Sequence, residues 1–228
     1  ADRMFAPDRE HFSVLLTSLG DSKRTESGQE LLEFLQSVTE PKHVGELASF
    51  RGYSLQELVG IGATAFVFRG RDRRLDRDVA IKVLAPSIAA NTTRRQAFCQ
   101  EARLASTVCH PHVVTIHHVS DEQESSLVFY VMDWADGVLL QDLIDTSSFP
   151  TDQAVELLRQ LAEGLDHIHQ CGIIHRDLKP GNLVVNQEGT HLTILDFGLA
   201  FDYHLDNGAT KMAGTPLYMS PEQLQGKD

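Results

Sequence analysis

The stretch that most constrains the fold runs from residue 173 to residue 199 and reads IIHRDLKPGNLVVNQEGTHLTILDFGL. Two polar loops, HRDLKPGN and LDFG, flank two short apolar segments, Leu183–Val185 and Leu192–Leu195. Short apolar runs that are bounded by turn residues predict strands. If these strands pair as a hairpin, the two loops meet at the same edge of it.

Three polar side chains in these loops suit the transfer of a phosphoryl group. That reaction needs a carboxylate that orients the attacking hydroxyl and oxygen ligands that hold magnesium against the phosphates. Asp177 fits the first role, and Asn182 and Asp196 fit the second, because Mg²⁺ takes a few protein oxygens and keeps water and phosphate oxygens in its shell. We therefore expect these loops to hold Mg²⁺ and a phosphate-bearing ligand.

The order HRDLKPGN and then DFG resembles the catalytic and metal-binding loops of the eukaryotic-type protein kinases. The resemblance extends from about Tyr53 to Gly226, and the phrases VAIKVLAPSIAA and GTPLYMSPEQ are most similar to the bacterial serine/threonine protein kinases. It implies a bilobal α+β fold, with a small lobe of antiparallel sheet plus one helix and a larger, mostly helical lobe. The implied domains are a small lobe and hinge at 52–135 and a partial large lobe at 136–228.

Residues 1–51 lie outside this resemblance. Apolar residues recur there at helical spacing in two groups. These are Phe12, Leu15, Leu16 and Leu19, followed by Leu31, Leu32, Leu35 and Val38. We predict two amphipathic helices, the second ending near Pro41. A helical extension packed on the neighbouring domain is favoured over a docking or regulatory segment.

Residues 53–70 alternate and turn on glycine, which predicts a strand, a glycine loop and a strand. Gly60 and Gly62 allow the backbone to approach phosphates closely. Ala65 stands at the third glycine position of the family's G-x-G-x-x-G pattern, which is a departure from it. The strand after this loop carries Lys82 among apolar residues, and the resemblance implies that Lys82 pairs the phosphates of ATP.

The resemblance also implies which other residues contact the nucleotide. Val67 and Ala80 are expected over the adenine ring, Met132 behind the pocket, and Asp133 and Ala135 in the hinge. The whole implied nucleotide-binding set is Gly60, Gly62, Val67, Ala80, Lys82, Met132, Asp133, Ala135 and Val184. Trp134, which is the single tryptophan, is expected to be a packing residue.

Helical periodicity predicts three further helices. The first spans Arg94–Val108 and carries Glu101, which by resemblance forms an ion pair with Lys82. The others are Gly137–Ile144 and Asp152–Gln170. The last is expected to bury a stripe of apolar residues, namely Ala154, Leu157, Leu158, Leu161, Leu165 and Ile168.

The implied reaction moves the γ-phosphoryl group of ATP to a protein serine or threonine hydroxyl, with Mg²⁺ held by Asn182 and Asp196. Asp177 would orient the hydroxyl, and Lys179 would neutralise charge on the transferring group. Together with Lys82 and Glu101 these form the expected catalytic set. Thr215 would line the hydroxyl site, and Thr210 is a candidate for regulatory phosphorylation. His175 would pack against Phe197 of the DFG turn.

The composition of the chain limits the kinds of partner that it can bind. The net charge of −12 and the pI near 5.3 argue against a nucleic-acid-binding surface. Three cysteines without CxxC spacing predict neither a disulfide framework nor a zinc site. No apolar run approaches the roughly 20 residues that span a bilayer. We expect a cytoplasmic protein whose partners are ATP and protein substrates, with a possible homodimer for autophosphorylation.

Three other functions compete with this interpretation. A small-molecule phosphotransferase could share the fold, but Lys179, the DFG glycine and the SPE segment favour a protein kinase. A pseudokinase scaffold is supported only by Ala65, and an adaptor module leaves the polar residues of the loops unexplained.

The chain also stops six residues after Glu222, before further helices that the resemblance implies. We therefore expect a fragment of low activity, with Glu222 unpaired and apolar surface exposed beneath Leu178 and Leu183.

Overall fold

The computed structural model describes residues 26–37, 46–62, 64–120, 127–146, 150–197, 201–202 and 215–225. The chain divides into two compact units, residues 1–99 with 118–134 and residues 100–117 with 135–228. Up to residue 133 the elements are α1 (Glu26–Ser37), β1 (Ala48–Phe50), β2 (Tyr53–Ile61), β3 (Ala65–Asp72), β4 (Arg77–Leu84), α2 (Pro86–Ala89), α3 (Thr92–Ala105), β5 (Ile116–Ser120) and β6 (Phe129–Asp133). The later elements are β7 (Val138–Leu139), α4 (Leu140–Thr146), α5 (Thr151–Gln170), β8 (Ile173–Ile174), a 3₁₀ turn (Pro180–Asn182), β9 (Leu183–Val185), β10 (Leu192–Ile194), β11 (Phe201–Asp202), a second 3₁₀ turn (Pro216–Tyr218) and α6 (Pro221–Leu224).

The first unit is built on a six-stranded sheet in the order β1-β2-β3-β4-β6-β5. Its strands β3, β4 and β6 pair antiparallel, so residues in register point to the same face. Alternation along each strand then separates two sets of side chains. One face carries Val67, Lys82, Tyr130, Arg69, Ala80 and Met132, and the other carries Phe66, Val83, Phe129, Phe68, Ile81 and Val131.

The second of these faces is apolar, and helix α1 packs on it. Leu31, Phe34 and Leu35 are buried and belong to the same hydrophobic core as Phe66 and Phe68. The ring centroid of Phe34 lies 6.2 Å from that of Phe66 and 5.9 Å from that of Phe68. The second predicted helix of the N-terminal extension is therefore present and packs on the neighbouring sheet. The first predicted helix, at residues 12–19, lies outside the described residues.

The second unit packs helix α5 against the antiparallel hairpin of β9 and β10. The prediction that these two apolar segments pair is confirmed, with Leu183 opposite Ile194 and Val185 opposite Leu192. Their core is shared with residues of α3 and α5. Strand β7 adds to the outer side of β9, and β11 pairs with β8.

Three expectations about this unit were wrong. The helix predicted from Gly137 begins at Leu140, because Val138 and Leu139 first pair with β9. A methyl group on Gly137 would lie 2.2 Å from the carbonyl oxygen of Val185, so the glycine permits this close pairing.

The predicted apolar stripe of α5 was also too wide. Leu158 is 62% exposed, whereas Leu157 is 4% exposed. Successive helical residues lie about 100° apart, so only one of two adjacent leucines can point fully into the core. The buried positions of α5 are Leu157, Gln160, Gly164 and Ile168.

The expected exposed apolar surface at Leu178 and Leu183 is absent from the described part of the chain. Leu183 is 3% exposed, and Leu178 is half-buried against the same core. Among the described residues no helix has the length and apolar character needed to cross a bilayer.

Candidate active site

The glycine loop is a hairpin turn between β2 and β3. Gly60 pairs with Val67, Ile61 pairs with Phe66, and the Gly62 N–H donates to the Ala65 carbonyl over 2.9 Å. A methyl group on Gly60 would meet no described atom within 4 Å. No described atom therefore crowds this side of the Gly60 backbone, and its contact with phosphates stays a prediction. Ala65, which replaces the third glycine, is buried at 3% exposure.

Lys82 lies in the middle of the sheet face opposite helix α1. Its register partners are Val67 on β3 and Tyr130 on β6, and its Nζ lies 5.5 Å from the centre of the Tyr130 ring. That distance allows a cation–π contact. Ala80 and Met132, which pair with each other, share this face. Four of the predicted nucleotide-binding residues thus lie on one face of one sheet.

The remaining predicted residues of the nucleotide and catalytic sets have the following positions. Ala135 follows β6 and is half-buried. Asp133 ends β6 and is exposed. Val184 lies on β9 in the second unit and is 8% exposed. Glu101 lies on α3 and is 9% exposed. The expected Lys82–Glu101 ion pair joins residues of different units and stays a prediction.

The catalytic loop lies between β8 and β9 and turns through a strained residue. Arg176 has φ 62°, in the left-handed region that costs a non-glycine residue about 1–3 kcal/mol. The N–H of Asp177 donates to the carbonyl of His175 over 2.9 Å across this turn. The loop is closed by the Asn182 N–H, which donates to the Lys179 carbonyl over 2.9 Å.

The carboxylate of Asp177 is the centre of a hydrogen-bond network. Lys179 Nζ donates to Asp177 Oδ2 over 2.7 Å and to Thr215 Oγ1 over 2.9 Å. Thr215 donates to Asp177 Oδ1 through its hydroxyl over 2.8 Å and through its backbone N–H over 3.0 Å. The structure therefore brings together the three residues that were predicted at the hydroxyl site.

This network fixes the protonation state of Asp177. Partial burial raises the pKa of its carboxyl, but hydrogen bonds from Lys179 and Thr215 outweigh burial and hold the pKa below its ordinary value. Asp177 is thus a carboxylate at neutral pH. A weak base that is held in one orientation is suited to aligning an incoming hydroxyl and accepting its proton late in the reaction.

Asn182 connects this network to the second loop. Its side-chain Nδ2 donates to the backbone carbonyl of Asp177 over 2.8 Å, and its backbone carbonyl accepts from the Leu195 N–H over 2.8 Å. Asp196 follows directly, with φ 53°. The hairpin thus brings the two loops together at one edge, as the sequence predicted.

His175 has the packing role that was expected. Its ring centroid lies 5.4 Å from that of Phe197, and its Nε2 lies 3.0 Å from the Leu195 carbonyl oxygen. Burial lowers the pKa of the imidazole. A neutral ring must be protonated at Nε2 to donate to that carbonyl. His175 therefore acts as a buried link between the two loops.

The oxygens available to a metal fit Mg²⁺. The Nδ2 of Asn182 is committed to Asp177, so Oδ1 is the atom left to bind a cation, and Asp196 adds a carboxylate. Among the described residues no group of three or more His, Cys, Asp or Glu side chains could hold a metal. Such a small oxygen set suits an ion that keeps water and phosphate oxygens in its shell.

Two glutamines with structural roles at the site were not predicted. Gln160 of α5 donates from Nε2 to the Thr190 carbonyl and accepts from the Leu192 N–H, both over 2.8 Å. It fastens the β9–β10 hairpin to the helix. The one sequence signal for Gln160 was that a polar residue interrupts the predicted apolar stripe of α5. Gln223 contacts the catalytic loop through Arg176.

Two residues of the predicted site lie outside the described residues. They are Gly198 of the DFG turn and the candidate phosphorylation site Thr210. Glu222, expected to lack a partner, is an exposed residue of α6.

Comparison with known proteins agrees with the geometry. Residues 53–228 match the family model described as "Protein kinase domain". The serine/threonine-protein kinase PknB of Mycobacterium leprae is 34% identical over 195 residues, covering 83% of this chain and 30% of the relative. Drp72 of Corynebacterium efficiens is 38% identical, covering 76% of this chain and 34% of the relative.

A kinase of Myxococcus xanthus, pkn2, is 39% identical over 175 residues, which cover 74% of this chain and 21% of the relative. The chain therefore spans about a third or less of the length of these relatives. Each of the three is named as a serine/threonine-protein kinase. The departures from the family pattern, such as Ala65, do not prevent the match.

Proposed function

Because the chain belongs to the protein kinase family, we propose that it transfers the γ-phosphoryl group of ATP to serine and threonine hydroxyls of proteins. The observation that carries the proposal is the Asp177 carboxylate, which is held between the Lys179 ammonium and the Thr215 hydroxyl. A serine or threonine hydroxyl that reaches this carboxylate would lie beside a fixed positive charge. The names of the relatives support the same activity.

Each residue of the network has a defined task in this proposal. Asp177 accepts a hydrogen bond from the substrate hydroxyl and aligns its oxygen with the phosphorus atom. A positioned base such as Asp177 contributes about 10²–10⁴-fold. Lys179 offsets negative charge on the transferring phosphoryl group. ATP would lie against the glycine turn and Lys82. Mg²⁺, when bound to Asn182 and Asp196, would supply charge neutralisation at the phosphates.

Lys179 and Thr215 also favour a protein kinase over the alternatives. A pseudokinase scaffold would not need a carboxylate that four hydrogen bonds hold ionised. Thr215 lies shortly before the SPE segment, and its direct bonds to Asp177 support a role for it beside the acceptor hydroxyl. In this proposal residues 52–135 form the small lobe and hinge, and residues 136–228 form part of the large lobe.

The location and assembly of the protein are further parts of the proposal. The three cysteines all lie within the described residues and no disulfide joins them, which fits a reducing, cytoplasmic compartment. A homodimer that phosphorylates its own chains at Thr210 remains part of the proposal.

Phosphate transfer from γ-labelled ATP to a generic basic protein tests the activity. The full chain should label serine and threonine in the presence of Mg²⁺, and Asp177→Asn should remove the labelling. Asp152→Asn, which changes an exposed aspartate on α5, is the matched control and should retain it. Labelling of tyrosine alone, transfer only to a small hydroxyl compound, or equal labelling by Asp177→Asn would each contradict the proposal.

A further inference from the structure

The side chain of Gln223 spans from helix α6 to the catalytic loop. Its Oε1 accepts from the Ser220 N–H over 3.0 Å, and its Nε2 donates to the backbone carbonyl of Arg176 over 3.0 Å. The Gln223 N–H in turn donates to Ser220 Oγ over 3.3 Å. One amide group therefore closes the capping box of α6 and also holds the residue that precedes Asp177.

The contact to Arg176 fixes a particular peptide plane. The carbonyl of Arg176 and the N–H of Asp177 belong to the same planar peptide group. Gln223 holds the carbonyl, and His175 holds the N–H over 2.9 Å. Because Arg176 has φ 62°, this plane lies in a conformation that the chain does not adopt without support. The orientation of the plane sets where the Asp177 side chain points.

The segment 215–225 is hydrogen-bonded to the catalytic loop at two places. Thr215 bonds the carboxylate of Asp177, and Gln223, eight residues later, bonds the backbone just before it. The two contacts tie the placement of residues 215–225 to the orientation of the base. A shift of this segment would therefore move Asp177 as well.

We infer that Gln223 is a positioning residue for phosphoryl transfer, acting on Asp177 through the Arg176 carbonyl. The inference rests on the proposed function, since it assigns Gln223 a part in that same site. Gln223 contacts neither the predicted nucleotide residues nor the Asp177 carboxylate in the described contacts, so its effect is on alignment. It therefore changes the rate of transfer and leaves ATP binding intact.

Two substitutions separate the roles of this side chain. Gln223→Glu keeps an oxygen that accepts from the Ser220 N–H, because glutamate serves a capping box as well as glutamine does. It removes the donor to Arg176 and places a carboxylate oxygen against that carbonyl. Ser220→Ala does the reverse, since it removes the hydroxyl of the cap and leaves the Gln223 amide in place.

Steady-state kinetics of the full chain test the inference. We expect Gln223→Glu to lower kcat about tenfold, equivalent to about 1.4 kcal/mol of transition-state alignment. Its KM for ATP should stay within about twofold, and Ser220→Ala should keep kcat within about twofold. Full kcat in Gln223→Glu would overturn the inference. An equal loss in Ser220→Ala would overturn it too, because the integrity of α6 would then account for both effects.

Amide hydrogen exchange keeps this test separate from the test of the activity. Without nucleotide, the peptide covering residues 175–182 should exchange faster in Gln223→Glu than in the parent and at the parental rate in Ser220→Ala. If the parent transfers no phosphate, the proposed function fails and exchange alone decides the positioning role. Unchanged exchange in Gln223→Glu would overturn the inference whatever the kinetics show.

Discussion

Replacing Phe34 by alanine should destabilise the first unit, although Phe34 lies outside the residues that match the kinase family. The side chain is 3% exposed and its ring contacts those of Phe66 and Phe68. A buried phenylalanine of about 150 Å² at about 25 cal/mol per Å² gives about 4 kcal/mol. This agrees with the loss of about 3–5 kcal/mol for truncating phenylalanine to alanine in a core. Since α1 can settle partly into the space, we expect about 3 kcal/mol.

Urea unfolding followed by tryptophan fluorescence measures this loss. Trp134 is the one tryptophan and lies in the first unit, with the Arg69 guanidinium 5.0 Å from its ring centre. Its emission therefore reports on the sheet that α1 covers. Glu33→Ala is the control, because Glu33 is exposed on the same helix and should change stability by about 0.5 kcal/mol or less. Equal effects of the two substitutions would refute the reasoning that α1 belongs to this core.

Three further perturbations follow from the site. Asp196→Asn should abolish Mg²⁺-dependent transfer in the labelling assay, and unchanged turnover would disprove its metal role. The pKa of Asp177 is lowered, so the parent should lose activity only as the pH falls through that lowered pKa. Lys179→Met removes a hydrogen bond that lowers the pKa of Asp177, so the pKa should rise. The acid limb of the residual kcat of the variant should therefore move to higher pH. Gln160→Leu leaves the buried Leu192 N–H unpaired, at about 1–3 kcal/mol, whereas the carbonyl of the exposed Thr190 can bond to water instead. Chemical denaturation should therefore show a loss of about 1–3 kcal/mol, while the exposed Gln170→Ala should be close to neutral.

The parts of the site that the sequence predicted depend on short-range patterns. The β9–β10 hairpin and its two loops lie within 27 consecutive residues, so strand pairing alone places Asp177, Asn182 and Asp196. The strand register likewise places Val67, Ala80 and Lys82 on one face once the alternation is known.

The residues that were missed depend on partners far along the chain. Gln160 bonds to residues 30 and 32 positions later, and Gln223 bonds to a carbonyl 47 positions earlier. Polar residues on a helix give no signal of such partners. Phe34 was absent from the predicted stripe of α1 for a similar reason. Its burial is decided by the aromatic face of the sheet, which helical spacing alone does not contain.

The irregular pairing of β2 has a consequence for how this sheet can change its length. Between Leu55 and Gly60 two extra residues, Gln56 and Val59, bulge out of register with β3. The pairing of β3 with β4, in contrast, runs through eight consecutive residues without interruption. Losing or gaining a single residue in β4 would turn Lys82 to the side where α1 packs. Such a change in β2 can be absorbed by removing or adding a bulge, so insertions and deletions during evolution should gather in β2 and spare β4.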